Sequence, residues 1–283
     1  MTRLGRLWGP EPRYPLASAM PPAPAPELRL IAGPCSVETP GLIMETARTL
    51  KSLGATMLRG GCYRVGTYPS ARLQEPKFHS PVEFLKGERL LVPERVGWLR
   101  SAAHAAGLPW VTEAMDDDGL AAAHDADWVQ VGARHAQHYP LLYKVGRLHK
   151  KVLLKRGHWM KLDEVMGSVE HLLRAGAADV AVVERGVVSF EDHCRWSLSI
   201  SAIAALKEYT NVKVIVDPAH GSGDHRLVKR LGFAGLAAGA DGLVCEVHPD
   251  PRRSASDAEQ AIGYQDFSEI AREARAIADR AAA

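Results

Sequence analysis

Four residues of types that ligate borderline divalent ions stand far apart in this chain: Cys35, His220, Glu246 and Asp257. One thiolate, one imidazole and two carboxylates make a mixed donor set suited to Mn²⁺, Fe²⁺, Co²⁺ or Zn²⁺. Taken singly, Cys35 reads as a small buried hydrophobe and His220 as a satisfied core histidine. Only the foursome argues for a metal. A second set is cationic: Arg59, Arg134, Lys155 and Arg185 each close a short apolar run. A lone cation in such a place is ordinarily solvated or ion-paired. Four that converge would form a positive mouth for a small, multiply anionic ligand.

Convergence depends on the elements that carry these residues. From Leu28 onward, strand-like runs alternate with amphipathic stretches. The strand candidates are Leu28–Cys35, Thr56–Gly61, Pro109–Ala114, Trp128–Ala133, Lys151–Gly157, Asp179–Arg185, Lys213–Ala219 and Gly242–His248. Between them lie helix candidates such as Leu42–Leu53, Pro93–Ala106, Lys161–Ala175 and Ser199–Tyr209. Runs such as VLLK, VAVV and VKVIV are nearly continuous in apolar residues, as in parallel strands buried on both faces. Eight β/α units in about 255 residues predict an α/β protein built as a single (β/α)8 TIM barrel. A doubly wound sheet is the alternative, but no GxGxxG turn follows the first strand. In a barrel the C-terminal strand ends and their loops build the active site, and every candidate residue falls there.

Composition bounds the function. The chain has 283 residues, 46% hydrophobic and 24% charged, with 35 basic against 33 acidic residues, so the net charge is 35 − 33 = +2. There is no basic run and no case for a nucleic-acid partner. No apolar stretch approaches the ~20 residues of a membrane helix. Four scattered cysteines without a CxxC pair suggest a reduced, cytoplasmic setting. Residues 1–27 hold seven of the 18 prolines. They lack the apolar core of a signal peptide and are expected to form a Pro-rich N-terminal arm. Residues 28–283 are expected to form the catalytic barrel, with no second or regulatory domain.

The motifs IAGPCSVE (31–38), LRGG (58–61), TEA (112–114), VGAR (131–134), VLLKRG (152–157), ERG (184–186), DPAH (217–220), CEVHPDP (245–251) and SDAEQ (256–260) closely resemble those of the type Iβ 3-deoxy-D-arabino-heptulosonate 7-phosphate (DAHP) synthases. That group includes relatives of 3-deoxy-octulosonate 8-phosphate synthase. VGAR and LLKRG favour the heptulosonate branch. The resemblance runs from about Leu28 to the C-terminal helix. It implies an aldol-like condensation in which C3 of phosphoenolpyruvate attacks an aldehyde, water adds at C2 and inorganic phosphate leaves. It places the chain in the shikimate pathway to aromatic amino acids. It implies that Arg59, Arg134, Lys155 and Arg185 hold phosphoenolpyruvate, and that Cys35, His220, Glu246 and Asp257 carry a divalent metal. Lys155, Glu113 and His220 become the catalytic candidates, with Lys155 a proton donor or phosphate ligand and Glu113 placing the attacking water. Arg64, Thr67 and Asp217 fall to the aldehyde. A homo-oligomer, dimer or tetramer, is the family habit.

Two loops depart from the family. After LRGG the family reads Tyr-Lys-Pro-Arg-Thr-Ser, whereas this chain reads Tyr63-Arg64-Val65-Gly66-Thr67-Tyr68. Gly66 replaces the phosphate-gripping arginine, and the exchange of Lys for Arg64 alters geometry. After His220 comes Gly221-Ser222-Gly223-Asp224-His225-Arg226, with an acid where a base is expected. Both changes strike the aldehyde-phosphate end. Arg72, Lys77 or Arg226 replaces the lost cation if erythrose 4-phosphate is the acceptor. A different, unphosphorylated aldehyde of a specialised pathway is the alternative, and a catalytically silent binding or regulatory barrel is the second. The segment 68–91 reads as a lid or a surface excursion.

Overall fold

The computed structural model describes residues 28–62 and 93–282. The arm 1–27, the segment 68–91, Arg64, Gly66, Thr67, Arg72 and Lys77 lie outside the described residues.

Eight parallel strands, β1 (Arg29–Gly33), β2 (Met57–Arg59), β3 (Trp110–Glu113), β4 (Trp128–Val131), β5 (Lys151–Lys155), β6 (Asp179–Glu184), β7 (Lys213–Val216) and β8 (Gly242–Glu246), close into a barrel in sequence order. β8 pairs with β1 over five residue pairs, from Arg29 opposite Gly242 to Gly33 opposite Glu246. The expected (β/α)8 barrel is therefore the fold. Its strands are shorter than the apolar runs suggest, because the chain leaves the sheet as each site residue is reached. At Gly33 β1 and β2 approach so closely that a Cβ would overlap the carbonyl oxygen of Arg59.

The strand pleat alternates side chains between two cores. Ile31, Met57, Val111, Trp128, Leu153, Ala181, Val183, Ile215 and Val244 fill the barrel interior. The intervening residues, among them Leu30, Leu58, Val152, Leu154, Val180 and Val182, face the surrounding helices. This parity carries into the polar residues. Arg59, Glu113, Gln130, Lys155, Arg185, Asp217 and Glu246 each stand two positions after an interior residue. They lie on the inward face at the C-terminal rim.

Helices cover the outside and begin at strong local signals. Helix α1 (Pro40–Ser52) has Pro at its start, and the Thr39 side chain accepts from the Leu42 N–H. α2 (Pro93–Ala106), α3 (Asp117–Ala122) and α4 (Tyr139–Gly146) follow. α5 (Leu162–Ala175) stops at Gly176, whose φ of 109° is left-handed. α6 (Ile200–Tyr209), the short α7 (Pro218–Ser222), α8 (His225–Ala237) and α9 (Tyr264–Ala282) complete the chain.

Out-of-phase charges serve the fold. Arg156, one step past Lys155, turns away from the interior and donates to Glu184 at 2.7 Å and to the Met160 carbonyl oxygen at 3.0 and 2.7 Å. Glu184 is fully buried and also accepts from the Gly186 N–H. Breaking a buried pair strands the remaining charge. Arg156→Met is expected to cost about 3–5 kcal/mol, measured by denaturant unfolding.

Candidate active site

Local sequence explains how the rim is built. In Asp217-Pro218-Ala219-His220, Asp217 is the N-cap of α7, its carboxylate accepts from the His220 N–H at 3.0 Å, and Pro218 occupies the first turn. The cap fixes His220 over the barrel mouth, and the same carboxylate receives the Lys155 ammonium at 2.9 Å. His220 Nδ1 lies 2.9 Å from Asp217 Oδ2, and its Nε2 lies 3.6 Å from Glu246 Oε1. Burial works against the Asp217 charge, but His220 and Lys155 overcome it and hold the carboxyl well below its ordinary 3.8.

Glu246, at the end of β8, is shared. It accepts from Arg59 at 2.7 Å and from the Gln260 side-chain amide at 2.6 Å. Burial again opposes ionisation, and His220 and Arg59 outweigh it, so its pKa lies below the usual glutamate value. Burial likewise disfavours the Arg59 cation, yet Glu246, Cys35 and Asp217 hold it more firmly charged than usual.

Cys35 donates to Asp257 Oδ2 at 3.0 Å. One donor atom from each of Cys35, Glu246 and Asp257 lies within 4.8 Å of the other two, with His220 against Glu246. The structure thus brings the four expected metal-ligand residues to one rim. The chemistry of this donor set, a thiol with two carboxylates and an imidazole alongside, fits a borderline divalent ion.

Arg59, Glu113, Lys155, His220, Glu246 and Cys35 line a cavity of about 310 Å³ that includes its open mouth, with Gly61 and Gln130 between them. Three of the four predicted cations, Arg59, Lys155 and Arg185, are buried at the rim. Arg134 is placed differently. It stands on a 3₁₀ turn after β4 with its side chain exposed, outside the cavity lining. Asp217 sits behind the wall, between Lys155 and His220. Arg185 is 5% exposed, lies 5.6 Å from the Trp196 ring centre, and leaves its buried Nε and one terminal nitrogen without a hydrogen-bond partner among the described residues. Burial lowers its pKa, with Arg195 adding repulsion against the attraction of Asp217. A buried guanidinium with unmet donors is costly unless an anion completes it.

Asp224 is partnered within its own loop and helix. It caps α8, accepting from the Arg226 N–H, and its carboxylate binds the Arg226 guanidinium at 2.6 to 3.0 Å. Arg226 is thereby engaged as well.

Sequence reasoning passed over Gln130, Gln260 and Gly132. Gln130 donates to Glu113 at 2.8 Å, and its signal was available: it stands two residues after the interior Trp128. Gln260 arrives from a loop and carries no such phase. A Cβ at Gly132 would overlap Oε1 of Glu113, so this glycine makes room for that carboxylate. Gly132→Ala is expected to displace the Glu113 carboxylate from Gln130 with a stability loss below the ~1–3 kcal/mol of an overpacked core, because the end of a flexible side chain can swing aside. Unfolding and a crystal structure of the variant would measure both.

A family model described as the DAHP synthetase I family matches residues 25–281. A phospho-2-dehydro-3-deoxyheptonate aldolase of Thermotoga maritima is 38% identical over 251 residues, spanning 88% of this chain and 70% of that protein. A 2-dehydro-3-deoxyphosphooctonate aldolase of Alkalilimnicola ehrlichii is 29% identical over 255 residues, spanning 86% of this chain and 88% of that one. The crystal structure of the Thermotoga maritima DAHP synthase superposes with a TM-score of 0.80 at 37% identity, covering 89% of this chain and 70% of that one. A truncated form of the 3-deoxy-D-arabino-heptulosonate 7-phosphate synthase from the same organism gives 0.77 at 36% identity, covering 89% and 87%.

Proposed function

The chain belongs to the DAHP synthetase I family, and from that premise we propose that it condenses phosphoenolpyruvate with erythrose 4-phosphate. One water is consumed, one inorganic phosphate leaves, and a 3-deoxy-2-keto sugar acid phosphate forms. The observation that carries this reading at the residue level is Arg185, a buried guanidinium with two nitrogens that have no hydrogen-bond partner among the described residues.

Arg185, Arg59 and Lys155 would bind the phosphate and carboxylate of phosphoenolpyruvate, with Arg134 closing over the ligand from its exposed turn. Their task is positioning and electrostatic stabilisation together. Phosphoenolpyruvate approaches as a polyanion, and Arg59 and Lys155 are already balanced by Glu246 and Asp217. Arg185, which forms no ion pair at contact distance among the described residues, is therefore proposed to contribute most to its capture. Lys155, held beside Asp217, is the phosphate ligand or proton donor, and Glu113, oriented by Gln130, places the water that adds at C2. Asp217 is assigned to positioning Lys155 and His220.

Divalent-metal dependence accompanies the family, and Cys35, His220, Glu246 and Asp257 are the residues proposed to hold the ion, be it Mn²⁺, Fe²⁺, Co²⁺ or Zn²⁺. The chemistry a bound ion supplies is Lewis-acid polarisation of the aldehyde carbonyl.

Of the two departures at the acceptor end, Asp224 is spent on capping α8 and binding Arg226. The other, around Gly66, lies outside the described residues. What favours erythrose 4-phosphate over an altered aldehyde is the match to the heptulosonate relatives. A cytoplasmic setting and a dimer or tetramer belong to the same proposal. Exposed Val188 and Phe190 supply apolar surface for self-association, and among the described residues no helix is long and apolar enough to cross a membrane.

Phosphate release from phosphoenolpyruvate with Mn²⁺ is expected to be at least about tenfold faster with erythrose 4-phosphate than with unphosphorylated aldehydes, as a charge-assisted phosphate contact of ~1.5–3 kcal/mol requires. Turnover only with another aldehyde would transfer the chain to a specialised pathway. No release with any acceptor, despite bound metal, would make it a silent barrel. Arg185→Met is expected to raise KM for phosphoenolpyruvate about ten- to a hundredfold on the same estimate, read from initial rates at saturating aldehyde.

A further inference from the structure

Asp257 differs from the other three candidate ligands in how it is held. Glu246 ends a paired strand, Cys35 follows one closely, and His220 sits on a capped helix. Asp257 lies in the loop between β8 and α9, with φ at 52°. Non-glycine residues rarely adopt that left-handed conformation, which persists where the surroundings over-determine it.

Its own turn holds the backbone, the Gln260 and Ala261 N–H groups donating to the Asp257 carbonyl oxygen, and Arg195 lies 3.8 Å from its carboxylate; the remaining surroundings are the loop after β1. Ser36 Oγ lies 2.8 Å from Ser256 Oγ. The Ala255 N–H donates to Glu38 Oε1 at 2.8 Å, and His248 Nε2 lies 3.4 Å from the same oxygen. Together with Cys35 against Asp257, residues 35, 36 and 38 thus meet 257, 256 and 255 in turn. Glu38 and His248 are both nearly inaccessible to solvent. Glu38 is outside the donor cluster of Cys35, Glu246 and Asp257, so its buried carboxylate has no ligand role there and is spent on the loop.

We propose that Glu38, assisted by Ser36, is a positioning residue for the divalent-metal site: it clamps the 255–257 turn and so keeps Asp257 at coordinating distance from Cys35 and Glu246. The proposal rests on the metal reading given above. Groups that orient metal ligands typically govern affinity by 10- to 100-fold.

The test is Mn²⁺ titration of the metal-stripped full-length protein, following free Mn²⁺ by electron paramagnetic resonance. Wild type, Glu38→Ala, Asp257→Asn and the double variant form a mutant cycle. Glu38→Ala is expected to raise the Mn²⁺ Kd about tenfold, and Glu38→Gln, which keeps an acceptor oxygen for the Ala255 N–H, to restore most of it. In the Asp257→Asn background the Glu38→Ala change should add nothing. If Glu38→Ala does not fold, Ser36→Ala takes its place in the same cycle with a smaller shift. An unchanged Kd, or a loss of equal size in both backgrounds, overturns the clamp. Failure of the wild type to bind stoichiometric Mn²⁺ would instead sink the metal reading, and the clamp with it.

Discussion

Closure of β8 onto β1 is the contact on which the site depends. Five paired positions, ending with Gly33 opposite Glu246, remove both edges of the sheet and fix which side chains face inward. A slip of one residue in such a ladder would turn every inward side chain outward. With the register fixed, Glu246 is delivered beside the turn that carries Cys35, although more than two hundred residues separate them in sequence. Gly33 is the point of closest approach, since any side chain there would collide with the backbone of β2.

The second constraint is charge. Burying an ion costs several kcal/mol unless partners repay it, and this rim buries at least six. Most are matched: Arg59 with Glu246, Lys155 with Asp217, and Arg156 with Glu184. The matching is strong enough that Asp217 and Glu246 ionise more readily than ordinary carboxylic acids in spite of burial. Arg185 breaks the pattern. Its Nε and one terminal nitrogen have no hydrogen-bond partner among the described residues, with the Trp196 ring alongside.

Much of this was legible in the sequence, and the reason is periodicity. The eight apolar runs mark eight strands, and the period of two marks which polar residue after each run faces inward. Lys155 lies in phase with Leu153 and lines the cavity; Arg156, adjacent to it, is out of phase and packs against Glu184. Arg134 shows where the rule ends. It keeps the phase of Gln130, but the chain has already left the sheet for a 3₁₀ turn, and the side chain is exposed. Asp224, read as a charge opposing a phosphate, also has a local role the motif did not show: it caps a helix and pairs with Arg226, two residues on. Gln260, which orients Glu246 from a loop, has no phase to betray it.

The site therefore divides by the kind of support beneath it. The cations assigned to phosphoenolpyruvate stand mainly on strands, where ladder hydrogen bonds on both sides set their positions and sequence phase reveals them. Asp257, the last residue assigned to the metal, stands on a loop that meets the side chains of another loop, Ser36 and Glu38, so its proposed geometry depends on both loops. Strand-mounted groups tolerate change in the loops around them, because their placement is independent of those loops. A barrel built this way can vary the loops at its rim while the buried cations and their neutralising carboxylates remain where the closed sheet puts them.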